Sequence, residues 1–176
     1  GTTNAVRGLP FMAISIAVSR KPRLNDVETA LVADVLRDIT HTTEKGKGAF
    51  RNGKEFKPSE TATLVDAVVG VDLSNFKARS VVDRLMTLLV RTRHLRHLGA
   101  NALEICDVAD GTTDAFIDIR GKLRVTDVAA AYLILYEAGG IITTPDGDKL
   151  EAKLGATQSV SFVAAANKLI YQAILE

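Results

Sequence analysis

One long apolar segment constrains the fold of this chain more than any other feature. The segment Val125–Ala138 contains only two charged side chains, those of Asp127 and Glu137. This pattern predicts a helix that is buried on most sides, and the pair Gly139-Gly140 can supply its left-handed end. Asp127 falls in the first turn of the predicted helix, where free backbone N–H groups favour a carboxylate. It could therefore complement the helix dipole or serve a functional site.

The first half of the chain is rich in strand and turn signals. Residues 10–20 are rich in β-branched residues and predict a half-buried strand, and a short strand is expected at 64–71. The glycine-rich stretch 44–53 ends in Asn52-Gly53, a typical hairpin pair. The apolar segment 29–39 has no decisive period and fits one or two strands or a helix.

The second half alternates helices with strands. The predicted elements are an amphipathic helix at 76–90, a helix from Leu98 to Asp110-Gly111, a strand at 114–120 that ends at Gly121, strands at 141–144 and 159–166, and a last helix capped by Asn167. This order indicates an α+β to α/β fold. We expect one domain over 1–176, with 1–72 as its strand-rich part and 73–176 as its α/β part.

Composition narrows the classes of partner and compartment. A net charge of +1 gives no sequence-wide field for nucleic acid. The single cysteine, Cys106, excludes an internal disulfide framework and fits a reducing cytoplasm. Each apolar run is shorter than the ~20 residues of a membrane helix. We therefore expect a soluble cytoplasmic protein that binds neither nucleic acid nor membrane.

Two polar stretches allow alternative interpretations. Gly1-Thr-Thr-Asn4 has the composition of an anion-binding turn, although a start without structure fits equally. In the basic stretch 91–97, His94 and His97 could face a metal on a helix, or the stretch could be a strand edge with solvated basic groups. Arg96 in this stretch is a candidate for phosphate contact.

Four segments, taken in chain order, carry a resemblance to a known family. They are Gly1-Thr-Thr-Asn4 with the strand that follows, Gly46-Lys-Gly-Ala-Phe-Arg-Asn-Gly53, Leu98-Gly-Ala-Asn-Ala-Leu-Glu-Ile-Cys106, and Asp127-Val-Ala-Ala-Ala with Glu137-Ala-Gly-Gly140. Together they resemble the inositol monophosphatase family of Mg²⁺-dependent, lithium-sensitive sugar phosphatases. The resemblance covers the whole chain.

The resemblance implies a layered α-β-α-β-α sandwich that is usually a homodimer. It also implies that the chain is N-terminally truncated, because the sequence begins at the glycine of the family's first signature. The Glu and two Asp that bind metal in family members precede that glycine. Without the segment that holds them, a sheet edge or a helix-binding face would be uncovered.

The resemblance also implies roles for individual residues. Asp127 would bind Mg²⁺ and act near the leaving group, while Thr2 would hold the nucleophilic water and form the phosphate cradle together with Gly1. Asp118 matches an acidic residue that contacts sugar hydroxyls. The remaining candidates for substrate contact are Asn101, Arg96 and Arg120, of which the two arginines could instead be solvated surface groups.

Departures from the family pattern leave the substrate open. Thr126 replaces the usual Trp, as in archaeal dual inositol-monophosphate/fructose-bisphosphate phosphatases, and Ala100-Asn101 replace Ser-Ala beside the substrate. The expected function is Mg²⁺-dependent hydrolysis of a small sugar or inositol phosphate, with a nucleotide-type phosphatase as a minor option. The alternative is a catalytically silent fragment or relative that acts as an anion-binding or assembly module.

Overall fold

A computed structural model describes residues 1–74 and 79–176 and contains two five-stranded sheets. The first sheet is antiparallel and follows chain order through β1 (Ala13–Ser19), β2 (Val27–Asp34), β3 (Ile39–Glu44), β4 (Ala49–Arg51) and β5 (Lys54–Glu55). The second sheet comprises β6 (Val68–Val71), β7 (His94–Arg96), β8 (Ala115–Arg124), β9 (Ile141–Thr143) and β10 (Ser159–Ala165) in the order β7-β6-β8-β10-β9. Strand β6 is parallel to β7 and β8, and the other pairs are antiparallel.

The helices of the described residues cover the sheets in layers. They are α1 (Thr2–Arg7), α2 (Arg79–Arg91), α3 (Asn101–Ala109), α4 (Val125–Ala138) and α5 (Lys168–Leu175). Helices α3 and α4 pack between the two sheets, and the larger core cluster lies there. A second core cluster joins the other face of the second sheet to α2 and α5. The layer order is therefore sheet, helices, sheet, helices, which confirms the layered α+β arrangement. The single domain stays a prediction.

Helix α4 runs over the predicted bounds and is buried along most of its length. Gly139 ends it with φ 95°, a left-handed conformation that favours glycine. A Cβ on Gly140 would lie 2.2 Å from Cδ1 of Leu135. Gly139 therefore turns the chain at the end of α4, whereas Gly140 permits the close packing of Leu135.

Strand β8 does not end at Gly121 as the sequence suggests. Gly121 adopts φ 67° and its N–H donates to Ser161 Oγ at 2.8 Å. The register with β10 shifts at this point, between Val160 and Phe162, so the glycine forms a bulge and the strand continues to Arg124. The extension carries Arg124 directly to the start of α4.

Several other elements differ in extent from the sequence prediction. The undecided segment 29–39 covers most of β2, the turn at 35–38 and the first residue of β3, and the strand expected at 64–71 begins only at Val68. The first positions of the helix expected at 76–90 lie outside the described residues. The sequence predicts an apolar face in α2 that includes Leu85 and Met86. Leu85 is buried, but Met86 is 47% exposed and Leu88 is buried instead, so the apolar face is rotated from the predicted one.

The hairpin turn expected at Asn52-Gly53 is confirmed. Asn52 and Gly53 have φ 48° and 77° and form the hairpin turn between β4 and β5. Strand β7 is an edge strand, so the alternative of two histidines on one helix is wrong. Over the described residues, no helix combines the length and apolar character needed to cross a membrane.

At β1 and β2 the first sheet carries apolar side chains on both faces. Ala13 of β1 packs against the core between the sheets. The alternate side chains of Ile14, Ile16 and Val18 point the other way, because successive strand residues face opposite sides. These three are 54%, 52% and 56% exposed, and together they are called the outer face below.

Candidate functional site

A pocket of about 150 Å³ lies where the N-terminal residue, β1, α3 and α4 meet. Its lining residues are Gly1, Ala13, Ser15, Ala100, Asn101, Ala102, Arg124 and Asp127. The small side chains among them bring three backbone segments close together. Three of the predicted site residues, Gly1, Asn101 and Asp127, thus share one pocket.

The N-terminal turn is fixed against the pocket by Asn4. This buried side chain donates through Nδ2 to the carbonyl of Phe11 at 2.8 Å and to that of Leu98 at 2.7 Å. A Cβ on Gly1 would lie 3.0 Å from Cα of Met12. The start of the chain is therefore the short helix α1, whose buried residue is Asn4. Thr2 is its exposed first residue and lies outside the described pocket lining.

Glu104 holds the loop that leads into α3. Its carboxylate accepts hydrogen bonds from the N–H of Leu98 at 3.3 Å and of Gly99 at 2.9 Å. Burial raises the pKa of Glu104, while these two bonds act in the opposite direction. The loop consequently presents Ala100 and Asn101 in a defined position at the pocket.

Two buried oxygens of the pocket have no hydrogen-bond partner among the described residues. They are Oγ of Ser15 and Oδ1 of Asn101. An unsatisfied buried polar group destabilises the protein, so such atoms are suited to a ligand that supplies a donor or a cation. This is the feature that separates the pocket from a mere surface depression.

Asp127 forms a two-point ion pair with Arg124. Nε of Arg124 lies 3.1 Å from Oδ2, and one terminal nitrogen lies 3.1 Å from Oδ1. The two side chains are 63% and 37% exposed, respectively. The hydrogen bond to Asp127 raises the pKa of Arg124. Sequence reasoning missed Arg124, although its position three residues before Asp127 was visible.

The donor set suits a hard cation only in part. Carboxylate, hydroxyl and amide oxygens line the pocket, and Mg²⁺ is commonly bound by one or two carboxylates together with water and substrate phosphate. Over the described residues, no three His, Cys, Asp or Glu side chains form a group that could hold a metal. Asp127 could therefore contribute to a cation site but does not complete one.

Asp118 and Arg120 are engaged with each other outside this pocket. Arg120 donates to Asp118 at 2.9 and 2.7 Å, to Asp72 at 2.5 Å and to the carbonyl of Ser74 at 2.8 Å. Burial lowers the pKa of Arg120, but the hydrogen bonds that it donates to Asp118 and the charges of Asp118 and Asp72 outweigh burial and raise the pKa. The predicted contacts of both residues with substrate stay predictions.

Arg96 lies apart from the pocket lining. It is exposed at the end of β7 and donates to the carbonyl of Leu95 at 2.8 Å. Its expected contact with phosphate also stays a prediction.

A larger groove of about 650 Å³ lies between residues 22–26 and 149–153 and shares no lining residue with the pocket. In this groove, Lys149 forms an ion pair with Glu151 at 3.0 Å. We favour the smaller pocket as the functional site because it contains the buried oxygens of Ser15 and Asn101 that have no partner among the described residues.

Known proteins are similar to this chain over almost its full length. A sequence model of the inositol monophosphatase family matches residues 1–176. A fructose-1,6-bisphosphatase/inositol-1-monophosphatase of Methanothermobacter thermautotrophicus is 35% identical over 100% of this chain and 64% of its own length. A bifunctional NADP phosphatase/NAD kinase of Methanococcus maripaludis is 31% identical over 99% of this chain and 33% of its own length.

The comparison with solved structures also leads to proteins described as inositol monophosphatases or as similar to them. A Pyrococcus horikoshii protein described as similar to inositol-1 monophosphatase superposes with a TM-score of 0.82 at 32% identity. The alignment covers 99% of this chain and 65% of that one. The chain therefore spans less than two thirds of the length of each of these three proteins.

Proposed function

The chain belongs to the inositol monophosphatase family, and on that premise we propose that it takes part in Mg²⁺-dependent hydrolysis of phosphate monoesters of sugars or inositol. The observation that carries the proposal is the pocket that joins Gly1, Asn101 and Asp127 around two unpartnered buried oxygens. Lithium inhibition, a homodimer and a cytoplasmic location belong to the same proposal through family resemblance.

Four candidate residues have roles that their chemistry supports: Gly1, Asn101 and Asp127 of the pocket, and Thr2, which lies next to Gly1 but outside the described lining. The carboxylate of Asp127 would hold the cation, and Gly1 with Thr2 would cradle the phosphate, with the Thr2 hydroxyl orienting the attacking water. Oδ1 of Asn101 can accept a hydrogen bond from a substrate hydroxyl. When bound, Mg²⁺ supplies charge neutralisation and a water of lowered pKa.

The relatives' names define the substrates to assay. Inositol 1-phosphate and fructose 1,6-bisphosphate follow from the Methanothermobacter protein, and NADP follows from the Methanococcus protein. Asn101 supports a polyhydroxy substrate, because its free carbonyl oxygen lies in the pocket. We place inositol 1-phosphate and fructose 1,6-bisphosphate first.

The catalytic test is D127N, assayed by phosphate release with and without Mg²⁺. Loss of the only carboxylate among the described lining residues of the pocket should lower Mg²⁺-dependent release by about 100-fold or more, since such a cation contributes several kcal/mol. Circular dichroism should stay unchanged because Asp127 is 37% exposed. D146N, in which a carboxylate that is 76% exposed is altered, is the matched control. Full turnover in D127N would refute the assignment.

The alternative is a catalytically silent anion-binding or assembly module. It is favoured by the lack of a complete metal-binding group among residues 1–74 and 79–176. No release from any of the three substrates, together with a native mass of 18.9 kDa for the expressed protein, would select it. A larger native mass with Mg²⁺-dependent release would make residues 1–176 part of a working phosphatase.

A further inference from the structure

Arg124 occupies a junction that fixes its backbone but not its side chain. It is the last residue of β8, where it pairs with Ser159, and it is the N-cap residue of α4. From there its guanidinium reaches Asp127 one turn along, with each carboxylate oxygen 3.1 Å from a different nitrogen. Because the side chain is 63% exposed, it can rotate without disturbing the core.

The Arg124–Asp127 ion pair accounts for every charged side chain in the described lining of the pocket. Of the eight described residues around the pocket, only Arg124 and Asp127 carry charged side chains. A divalent cation that approaches Asp127 therefore meets a carboxylate already neutralised and a positive charge beside it. Cation binding and the ion pair compete, because like charges a few ångströms apart repel.

Once displaced, the guanidinium remains in the same pocket. Its planar fork matches two oxygens of a phosphate, and its backbone anchor lies three residues from Asp127. We propose that Arg124 is a positioning residue, which holds Asp127 until a divalent cation takes that carboxylate and then turns to the phosphate of the substrate. The inference rests on the proposed function, because it requires a cation at Asp127.

The test separates two opposite effects of removing this side chain. Mn²⁺ binding to the 176-residue chain is titrated by electron paramagnetic resonance without substrate, for the wild type, R124A and R124K. We expect R124A to bind Mn²⁺ roughly two- to fivefold more tightly, since an exposed ion pair no longer competes. Binding of inorganic phosphate in saturating Mn²⁺ should weaken by roughly tenfold, with R124K intermediate in both measurements.

A purely structural role would weaken both affinities together, which would overturn the proposal. R84A is the matched control, because Arg84 is 54% exposed and pairs with Asp146 at 3.1 Å outside the pocket lining. It should change neither affinity. Equal Mn²⁺ affinity in the wild type and R124A would refute the role of Arg124 while leaving the proposed function standing. Absence of Mn²⁺ binding in the wild type, or equal binding by D127N, would refute both.

Discussion

Asp107 lies in the last turn of α3 and Asp110 is the C-cap residue of that helix. Both carboxylates are buried, but their pKa values shift in opposite directions. Burial and the neighbouring charge of Asp110 raise the pKa of Asp107 to about 6, while Arg37, His41 and Glu104 act on it less. Burial would also raise the pKa of Asp110, but the hydrogen bond from His41 at 2.9 Å and those from Thr112 outweigh it and lower the pKa. Arg51 adds a further bond to Asp110 at 3.0 Å.

The raised pKa of Asp107 predicts that D107N stabilises the protein at neutral pH. A group whose folded pKa is raised contributes its stability fully at pH values below the unfolded pKa, and that stability is lost as the pH rises to about 6. The difference between 3.8 and about 6 corresponds to at most about 3 kcal/mol of unfolding free energy. Urea unfolding should therefore show D107N more stable than the wild type at pH 7.5, by about 1–3 kcal/mol.

The same comparison at about pH 3 should show little difference, because that pH lies below the unfolded pKa of 3.8 and Asp107 is then largely protonated in the folded and the unfolded protein. D110N is the matched variant, and its sign is reversed. A lowered folded pKa contributes stability at pH values above the unfolded pKa, so D110N should destabilise the protein at pH 7.5. If D107N proved less stable than the wild type at pH 7.5, the raised pKa of Asp107 would be wrong.

At this scale, the sequence identified residue types but not every partner. The resemblance placed Gly1, Asn101 and Asp127, and the structure brings all three into one pocket. Ser15 carried no local signal, because its burial without a partner depends on the packing of β1 against α3. The sequence likewise could not predict that Arg120 binds both Asp118 and Asp72, because Asp72 lies 48 residues away along the chain.

Asn167 shows how one cap ties an element to the rest of the fold. Its Oδ1 accepts hydrogen bonds from the N–H groups of Leu169 at 2.9 Å and Ile170 at 3.1 Å, as the sequence predicted for α5. Its Nδ2 donates to the carbonyls of Ser59 at 3.1 Å and Thr61 at 2.9 Å. The side chain therefore joins the last helix to a loop more than a hundred residues earlier.

N167A should destabilise the protein by about 1–2 kcal/mol, because the helix loses its cap and the loop loses a donor. N167D is the matched variant, since it keeps the accepting oxygen but not the donating nitrogen. It should fall between N167A and the wild type in chemical denaturation. Equal stability of N167D and N167A would mean that the loop contacts, rather than the cap, carry the effect.

Elements were predictable where their signals were local. Helix α4 and the Asn52-Gly53 turn follow from composition and turn chemistry over a few residues. Strand β8 was predicted too short, because Gly121 looks like a terminator and only pairing with β10 shows it to be a bulge. The segment 29–39 stayed undecided because β2 is apolar on both faces, which removes the alternation that distinguishes a strand.

The outer face of the first sheet is the main feature at the scale of the whole molecule. An antiparallel sheet with one solvated face normally alternates apolar and polar residues, yet Ile14, Ile16 and Val18 are more than half exposed. Their cross-strand neighbours include Leu31 and Ala33, which are only half-buried. The result is a continuous apolar surface beside the unpaired edge of β1.

We expect I16T to reduce self-association without a large loss of stability. Thr keeps the β-branched shape that strands favour, and Ile16 is 52% exposed. Sedimentation over a range of concentrations and binding of an apolar dye should both decrease, with the melting temperature within a few degrees of the wild type. V32T is the contrasting control, because Val32 is fully buried on the opposite face of the adjacent strand. Unchanged association in I16T would show that another surface causes it.

The same face governs how the chain responds to the salts around it. With a net charge of only +1, the molecule has little overall repulsion to keep copies apart. Sulfate and phosphate salts strengthen apolar association by their exclusion from protein surfaces, so they act first where isoleucine and valine already contact water. We therefore expect the apolar outer face, rather than the net charge, to decide at which sulfate or phosphate concentration copies of this chain associate.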